Sequence, residues 1–356
     1  MEKYHQASAT LLLQCFPTVL FCFLAAGIAK ADAATKLFVF GDSYADTGNW
    51  GRSASSWKEP YGITFPGKPA GRFSDGRIFT DYMASFLGIE SPIPYTTAMA
   101  TAQDSRSRHL QYGMNFAYGG TGVFDTFIPA PNMSVQINLF EKTIEEQKVY
   151  TKQDLLNSSF ALLSIAGNDY LTYANKKGNP QELPGLTQRI IAQLSENLNL
   201  IHGLGVSKVA ITTLPPIGCL PVVAAANSYR DCNETWNSAA KYHNQQLHQA
   251  VESLNNRTSR SNVFGILDTF SALMAEFKKS NGSGSGDNPL KPCCIGVSSD
   301  HSCGDVDEKG GNGGAKKYVV CNNPSLSMFW DMLHPAQNGW QAVYQTLKPS
   351  LHEMMI

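Results

Sequence analysis

Short apolar runs alternate with amphipathic stretches along most of the chain. Five runs have the length and the flanking Gly, Asn, Asp or Pro residues that are typical of buried strands; they cover residues 37–40, 114–117, 160–166, 206–213 and 263–267. The clearest stretch between them repeats apolar residues every three or four positions, as a helix on a sheet does, at Leu186, Ile190, Leu194, Leu198 and Ile201. Because strands that alternate with helices form parallel sheets, the pattern predicts an α/β fold with a central five-stranded parallel sheet.

The first 33 residues have the pattern of a secretory signal peptide. A positively charged start precedes a mostly apolar segment, residues 11–28, and the small residues at 31–33 offer a cleavage site. An uncleaved membrane anchor is the alternative, which Pro17 and the Ala-rich end of the segment disfavour. No later segment is apolar enough to cross a bilayer. We therefore expect a secreted mature chain, residues 34–356, that folds as a single domain.

Charge and composition narrow the range of partners. The formal net charge is -1 and the sequence pI is about 6.7, so the chain has no basic field for nucleic acid or anionic lipid. Charged residues make up 16% of the chain, below the roughly 25% that is usual, so uncharged polar groups or glycans must solvate the surface. Asn-X-Ser/Thr sequences make five asparagines candidates for glycosylation: Asn132, Asn157, Asn233, Asn256 and Asn281. We expect small or neutral partners, and the sequence specifies no oligomeric state.

Cysteines support export and mark one unusual segment. Six remain after signal removal: Cys219, Cys232, Cys293, Cys294, Cys303 and Cys321. An even number in an oxidising compartment predicts three disulfides, whose connectivity the sequence leaves open. Residues 281–324 combine four of these cysteines with glycine-rich loops, and we interpret them as a disulfide-pinned excursion within the domain. A zinc site that also uses His301 is the alternative, but adjacent cysteines lack the spacing of common zinc loops.

Candidate chemistry begins where the first apolar run stops. Ser43 follows that run, and residues just beyond the carboxyl ends of parallel strands line the ligand cleft. A serine hydroxyl needs a base within hydrogen-bond reach, and the base needs an orienting acid. Asp331 and His334, three residues apart, can supply both. The alternatives are that Gly41-Asp42-Ser43 is only a strand-ending turn, and that His334 is a cap or a packed surface residue.

The turns after the first three strands also carry hydrogen-bond donors. The backbone N–H groups of Ser43 and Gly119 and the side-chain amide of Asn168 could together stabilise an oxyanion. Two simpler explanations remain open at this point. Gly119 and Gly120 could only relieve a tight turn, and Asn168 could only cap the helix that follows it.

Five sequence blocks carry a resemblance to a known family. They are FVFGDSYADTGN (residues 38–49), GRFSDGR (71–77), NFAYGGTG (115–122), AGNDY (166–170) and FWDMLHP (329–335). In this order and spacing the chain resembles the plant GDSL esterase/lipase family of the SGNH hydrolases. The resemblance implies a three-layer α/β/α flavodoxin-like fold. It also implies roles for Ser43 as nucleophile, His334 as base and Asp331 as its orienting acid, with Gly119 and Asn168 joining the Ser43 amide as oxyanion donors.

Two features depart from that family pattern. Tyr118 stands where the family usually has Ser, which leaves the choice between Gly119 and Gly120 open. A glycine-rich insert, residues 309–314, lengthens the cysteine loop and could change the substrate range.

Together these features predict a secreted serine esterase or lipase that hydrolyses carboxylic esters with an apolar acyl group through an acyl-enzyme. We expect no metal or organic cofactor, and a small-molecule or lipid ester as substrate. Two alternatives stay open. An acyltransferase would pass the same acyl group to an alcohol, and an extracellular binding glycoprotein would keep the fold without turnover.

Overall fold

Six parallel strands form one sheet in the order β2-β3-β1-β4-β5-β6. They are β1 (Lys36–Gly41), β2 (Ile93–Pro94), β3 (Gly113–Asn115), β4 (Ser159–Ser164), β5 (Lys208–Thr212) and β6 (Phe264–Leu267). The computed structural model describes residues 35–101, 110–258, 262–282, 288–307 and 314–355. The predicted signal peptide, residues 1–33, lies outside them.

The strand order places the end of β1 at the reversal point of the sheet. Without the edge strand β2, the order is that of the flavodoxin-like fold, in which the chain moves first to one side of β1 and then to the other. β3 pairs with one edge of β1, and β4 pairs with the other edge from Lys36↔Ser159 to Gly41↔Ser164. Ligands of such sheets bind outside the strand ends at this reversal.

Helices flank the sheet in two groups. The helices are α1 (Phe79–Phe86), α2 (Tyr95–Ala100), α3 (Met133–Glu145), α4 (Lys152–Asn157), α5 (Asn168–Asn175), α6 (Leu183–Gly203), α7 (Pro221–Ala224), α8 (Glu234–Arg257), α9 (Thr269–Gly282) and α10 (Gln337–Met355). One group consists of α3, α6 and α8, and the other of α1, α9 and α10. All five apolar residues of the predicted stripe on α6 are buried, as expected. The α/β/α prediction is confirmed.

Aromatic rings join β1 to α3. Phe38 and Phe40 on the strand lie 4.7 Å and 5.6 Å, centroid to centroid, from Phe140 on the helix. Phe116, just after β3, is 5.4 Å from Phe40 and 5.6 Å from Phe140. All four rings are buried. This cluster fixes the helix over the strand that ends at the candidate site.

The sheet has six strands where the sequence predicted five. The additional strand is the two-residue edge strand β2, which pairs Ile93 with Met114 and Pro94 with Asn115. Two residues are too short for an apolar run to be recognised, and proline lacks the N–H of an ordinary strand residue, which restricts it to sheet edges.

Three disulfides form among the described residues: Cys219–Cys232, Cys293–Cys321 and Cys294–Cys303. The cysteines of the alternative zinc site are thus oxidised in pairs. Two of the disulfides hold a small antiparallel hairpin, β7 (Cys294–Gly296) and β8 (Tyr318–Val320). Within the described part of the chain, no helix combines the length and apolar content needed to cross a membrane.

We expect Phe140→Ala to lower the free energy of unfolding by roughly 3–5 kcal/mol, because the ring leaves a cavity among three other aromatic side chains. Chemical denaturation followed by circular dichroism measures the change. Val135→Ala on the same helix is the control: Val135 is 41% exposed, so its effect should stay within about 0.5 kcal/mol. Equal effects of the two variants would contradict the assigned core.

Candidate active site

The end of β1 is shaped by a glycine that no other residue can replace without strain. Gly41 has φ 135°, and a Cβ there would lie 1.9 Å from the carbonyl oxygen of Ser164 on β4. The side chain of Gln136 from α3 takes the place of a strand partner. Its Oε1 accepts from the Gly41 N–H at 2.8 Å, and its Nε2 donates to the Gly41 carbonyl at 2.9 Å. The chain then turns sharply into Asp42 and Ser43.

The structure brings Ser43, His334 and Asp331 together. His334 Nε2 lies 2.8 Å from Ser43 Oγ, across 291 residues of sequence. His334 Nδ1 lies 2.8 Å from each carboxylate oxygen of Asp331. All three residues are buried, with 7–8% of their surface exposed. Hydroxyl, imidazole and carboxylate therefore form a continuous hydrogen-bonded chain, which is an arrangement that can activate a serine hydroxyl.

The loop before α10 is folded around the Asp331 carboxylate. Asp331 Oδ1 accepts from the backbone N–H groups of Leu333 and His334, both at 2.8 Å. The Trp330 N–H donates to the His334 carbonyl at 2.7 Å, and the Tyr44 hydroxyl donates to the Leu333 carbonyl at 2.8 Å. These bonds link the loop to itself and to the residue after Ser43, so the imidazole has little freedom to move away.

Asp331 is held as a carboxylate. Burial opposes its ionisation, but the His334 charge and hydrogen bonds from His334, Tyr61 and the Leu333 amide hold its pKa below the usual range. An ionised Asp331 can orient the imidazole by accepting from Nδ1, which leaves Nε2 to accept the Ser43 proton.

The GRFSDGR block, which the sequence left without a role, anchors this same loop. Ser74 Oγ donates to the Pro335 carbonyl at 3.0 Å, and Asp75 Oδ1 accepts from the Gln337 N–H at 2.7 Å. The Phe73 ring stacks on the His334 imidazole, with centroids 5.0 Å apart and planes 30° from parallel. The block therefore packs against one face of the imidazole and also holds the start of α10 in place.

Asn168 begins α5 in contact with Asp42, the residue before Ser43, and its side-chain NH2 group already has two acceptors. Nδ2 donates to the Thr121 carbonyl at 2.9 Å and to Asp42 Oδ2 at 3.2 Å. Asp42 Oδ2 also accepts from the Ala166 N–H at 2.6 Å. Burial raises the pKa of Asp42 to about 7, against backbone hydrogen bonds that lower it. An oxyanion would have to replace or share one of the Asn168 hydrogen bonds, and the bond to Asp42 is the longer.

Gly119 lies beside the site, but its N–H is already engaged. It donates to Asp46 Oδ2 at 2.9 Å, and Asp46 accepts three more backbone N–H groups, from Gly48, Asn49 and Trp50. Burial raises the pKa of Asp46 to about 6, again against these bonds. Among the described residues, no acceptor pairs with the N–H of Ser43 or of Gly120.

Three residues that sequence reasoning passed over belong to this site: Asp42, Asp46 and Tyr61. The first two stand inside the FGDSYADTGN block, where the pattern drew attention to Ser43 alone. Tyr61 lies in the irregular segment after β1 and carried no sequence signal. In the described ranges, no group of His, Cys, Asp and Glu side chains is arranged to hold a metal ion.

A buried serine–histidine–aspartate chain at the carboxyl ends of a flavodoxin-like sheet is typical of α/β/α hydrolases that act on esters. The chain belongs to the family of GDSL-like lipases and acylhydrolases, whose family model matches residues 37–347. The resemblance inferred from the sequence blocks is confirmed, and the chain is a hydrolase that acts on esters.

Two curated relatives and one solved structure show the extent of similarity. The chain is 50% identical to GDSL esterase/lipase At5g03610 of Arabidopsis thaliana over 326 residues, which cover 90% of this chain and 88% of the relative. It is 48% identical to GDSL esterase/lipase At3g09930 of the same plant, covering 90% and 89%. LAE5, an α/β hydrolase from the metagenome of Lake Arreo in Spain, matches at 12% identity and a TM-score of 0.39, covering 90% and 97%.

We expect Asp46→Asn to destabilise the protein. In either orientation of the new amide, its NH2 group faces two backbone N–H donors, and each unsatisfied donor costs roughly 1–3 kcal/mol. The midpoint of urea unfolding measures the loss. Asp231→Asn, at an exposed position, is the control and should change stability by less than about 0.5 kcal/mol. Equal midpoints for the two variants would show that the Asp46 contacts contribute nothing.

Proposed function

We propose that the chain is a secreted serine esterase or lipase in which Ser43 attacks the carbonyl carbon of an acyl ester. The observation that carries the proposal is the 2.8 Å contact between Ser43 Oγ and His334 Nε2, continued to Asp331. Family membership supports ester hydrolysis as the reaction. The residue roles are supported by this geometry and by the burial of all three groups.

The reaction proceeds in two displacements. His334 Nε2 accepts the Ser43 proton as Oγ bonds to the acyl carbon, and the alcohol leaves with the proton returned by His334. Water then loses a proton to His334 and attacks the acyl-enzyme, which releases the carboxylic acid and restores the Ser43 hydroxyl. Asp331 stays ionised throughout and stabilises the imidazolium. Because only neutral imidazole can accept the proton, turnover falls on the acid side of the pH profile.

We assign the oxyanion to three donors at neighbouring strand ends. The Ser43 N–H has no protein acceptor among the described residues, and Asn168 Nδ2, at the start of α5, donates to Asp42, the residue before Ser43. The third donor comes from the turn after β3. We expected Gly119 there, but its N–H donates to Asp46, so we propose Gly120, the other residue that the sequence left open. Each such donor is worth about 10²–10³ in rate.

Secretion is supported by the three disulfides, because structural disulfides persist in oxidising compartments.

N-glycosylation of the sequon asparagines is part of the same proposal. Asn132 and Asn233 cap α3 and α8 by accepting backbone N–H groups, and Asn256 is exposed on α8. The side chains of Asn157 and Asn281 lie outside the described part of the structure.

A fluorophosphonate probe tests the nucleophile directly. Ser43 Oγ should displace fluoride from phosphorus and label the protein, and neither Ser43→Ala nor His334→Ala should label. The same proteins are assayed on esters of graded acyl length, with and without an added alcohol. Acyl transfer to the alcohol would identify the acyltransferase alternative. Absence of both labelling and turnover in the wild type would favour the non-catalytic binding glycoprotein.

Asn168→Ala should keep the fold and lower kcat by about 10²–10³, the effect expected when one oxyanion donor is removed. Steady-state kinetics on a short-chain ester measures the loss. Asn175→Ala, at the exposed far end of the same helix, is the matched control and should match the wild type. A decrease below threefold for Asn168→Ala would remove this residue from the site.

A further inference from the structure

The phenol of Tyr61 reaches the carboxylate that orients the imidazole. Tyr61 precedes Asp331 by 270 residues, is 3% exposed, and donates its hydroxyl to Asp331 Oδ2 at 2.7 Å. None of the steps proposed above uses this contact, and no sequence block contains Tyr61. The contact brings a fourth side chain to the Ser43–His334–Asp331 chain.

The two oxygens of Asp331 have different partners. Oδ1 accepts two backbone N–H groups, from Leu333 and His334, in addition to the imidazole. Among the described residues, Oδ2 has only two donors, the imidazole and the Tyr61 hydroxyl. Without the phenol, a buried carboxylate oxygen would keep one partner. Such an oxygen is poorly satisfied, and the carboxylate would gain freedom to rotate away from Nδ1.

Tyr61 is itself held by the cysteine-rich part of the chain. It is buried in a small cluster whose other members are Cys293, Cys294, Cys303, Tyr318, Trp330 and Ala336. Its ring meets the Trp330 ring edge-on, with centroids 6.1 Å apart, and its N–H donates to the Lys58 carbonyl at 3.0 Å. The disulfide Cys294–Cys303 belongs to this cluster, so the excursion packs directly behind the phenol.

We propose that Tyr61 is a positioning residue that fixes the Asp331 carboxylate against His334, and that the cysteine-rich excursion serves to hold the phenol in place. The inference rests on the proposed function. In this proposal Tyr61 acts on His334 and Ser43 only through its hydrogen bond to Asp331. The Tyr61 hydroxyl restrains the rotation of the Asp331 carboxylate. By donating a hydrogen bond, it also partly neutralises the negative charge of that carboxylate.

The test is Tyr61→Phe, which removes the hydroxyl and keeps the ring. We expect kcat to fall by about 10- to 100-fold with KM within twofold, the effect of losing a hydrogen bond to a charged group. The acid limb of kcat/KM should move to higher pH, because a carboxylate that no longer shares its charge favours protonated imidazole more strongly. A purely structural role would not produce this shift.

Tyr318→Phe is the matched control. Tyr318 lies in the same cluster and is 5% exposed, but its buried hydroxyl has no partner in the described part of the chain. This variant should keep the wild-type kcat and pH profile. If Tyr61→Phe also keeps both, or if both variants lose activity equally, the positioning role is wrong.

A double-mutant cycle with Asp331→Asn distinguishes a positioning role of Tyr61 from a general loss of stability in Tyr61→Phe. If Tyr61 acts through Asp331, removing its hydroxyl should change the fluorophosphonate labelling rate by less than twofold in the Asp331→Asn background. Additive effects would overturn the inference. A wild type that is labelled at Ser43 while Tyr61→Phe behaves normally sinks only this proposal, whereas an unlabelled wild type sinks the proposed function first.

Discussion

The contact between the Ser43 hydroxyl and the His334 imidazole is the constraint on which the functional architecture depends. The two residues are 291 positions apart, and their atoms approach within 2.8 Å only because two independent pieces of structure end at the same edge of the sheet. One piece is β1, which stops at Gly41. The other is the loop before α10, which the GRFSDGR block holds through Ser74 and Asp75.

Buried carboxylates connect the loops at this edge. Asp42 links the loop after β1 to that after β4 through Ala166 and Asn168. Asp46 links the loop after β1 to the turn after β3 through Gly119. Asp169, at the start of α5, links the loop after β4 to the segment after β3 by accepting hydrogen bonds from the N–H groups of Val123 and Phe124. Each carboxylate offers several acceptor sites and thereby satisfies backbone groups that burial would otherwise leave unpaired.

Asp331 differs from these three carboxylates in the direction of its pKa shift. Burial raises the pKa of Asp42, Asp46 and Asp169, whereas the His334 charge and several hydrogen bonds hold the pKa of Asp331 below its usual range. The difference follows from the partners: the first three accept mainly from neutral backbone groups, and Asp331 faces an imidazole that can be charged. The anion is therefore most stable where the proposed mechanism needs it.

The α/β class and the family could be predicted from the sequence, which also made Ser43, Asp331 and His334 candidates, because apolar periodicity and short blocks are local properties of the chain. Four features became known only from the folded chain: the disulfide pairing, the two-residue strand β2, the hydrogen bond from the Gly119 amide to Asp46 and the contact of Tyr61 with Asp331. Each of these is a pairing between separate positions, from the 9 residues between Cys294 and Cys303 to the 270 between Tyr61 and Asp331, and which groups meet depends on how the loops pack. A carboxylate or a phenol has the same sequence signature wherever it points.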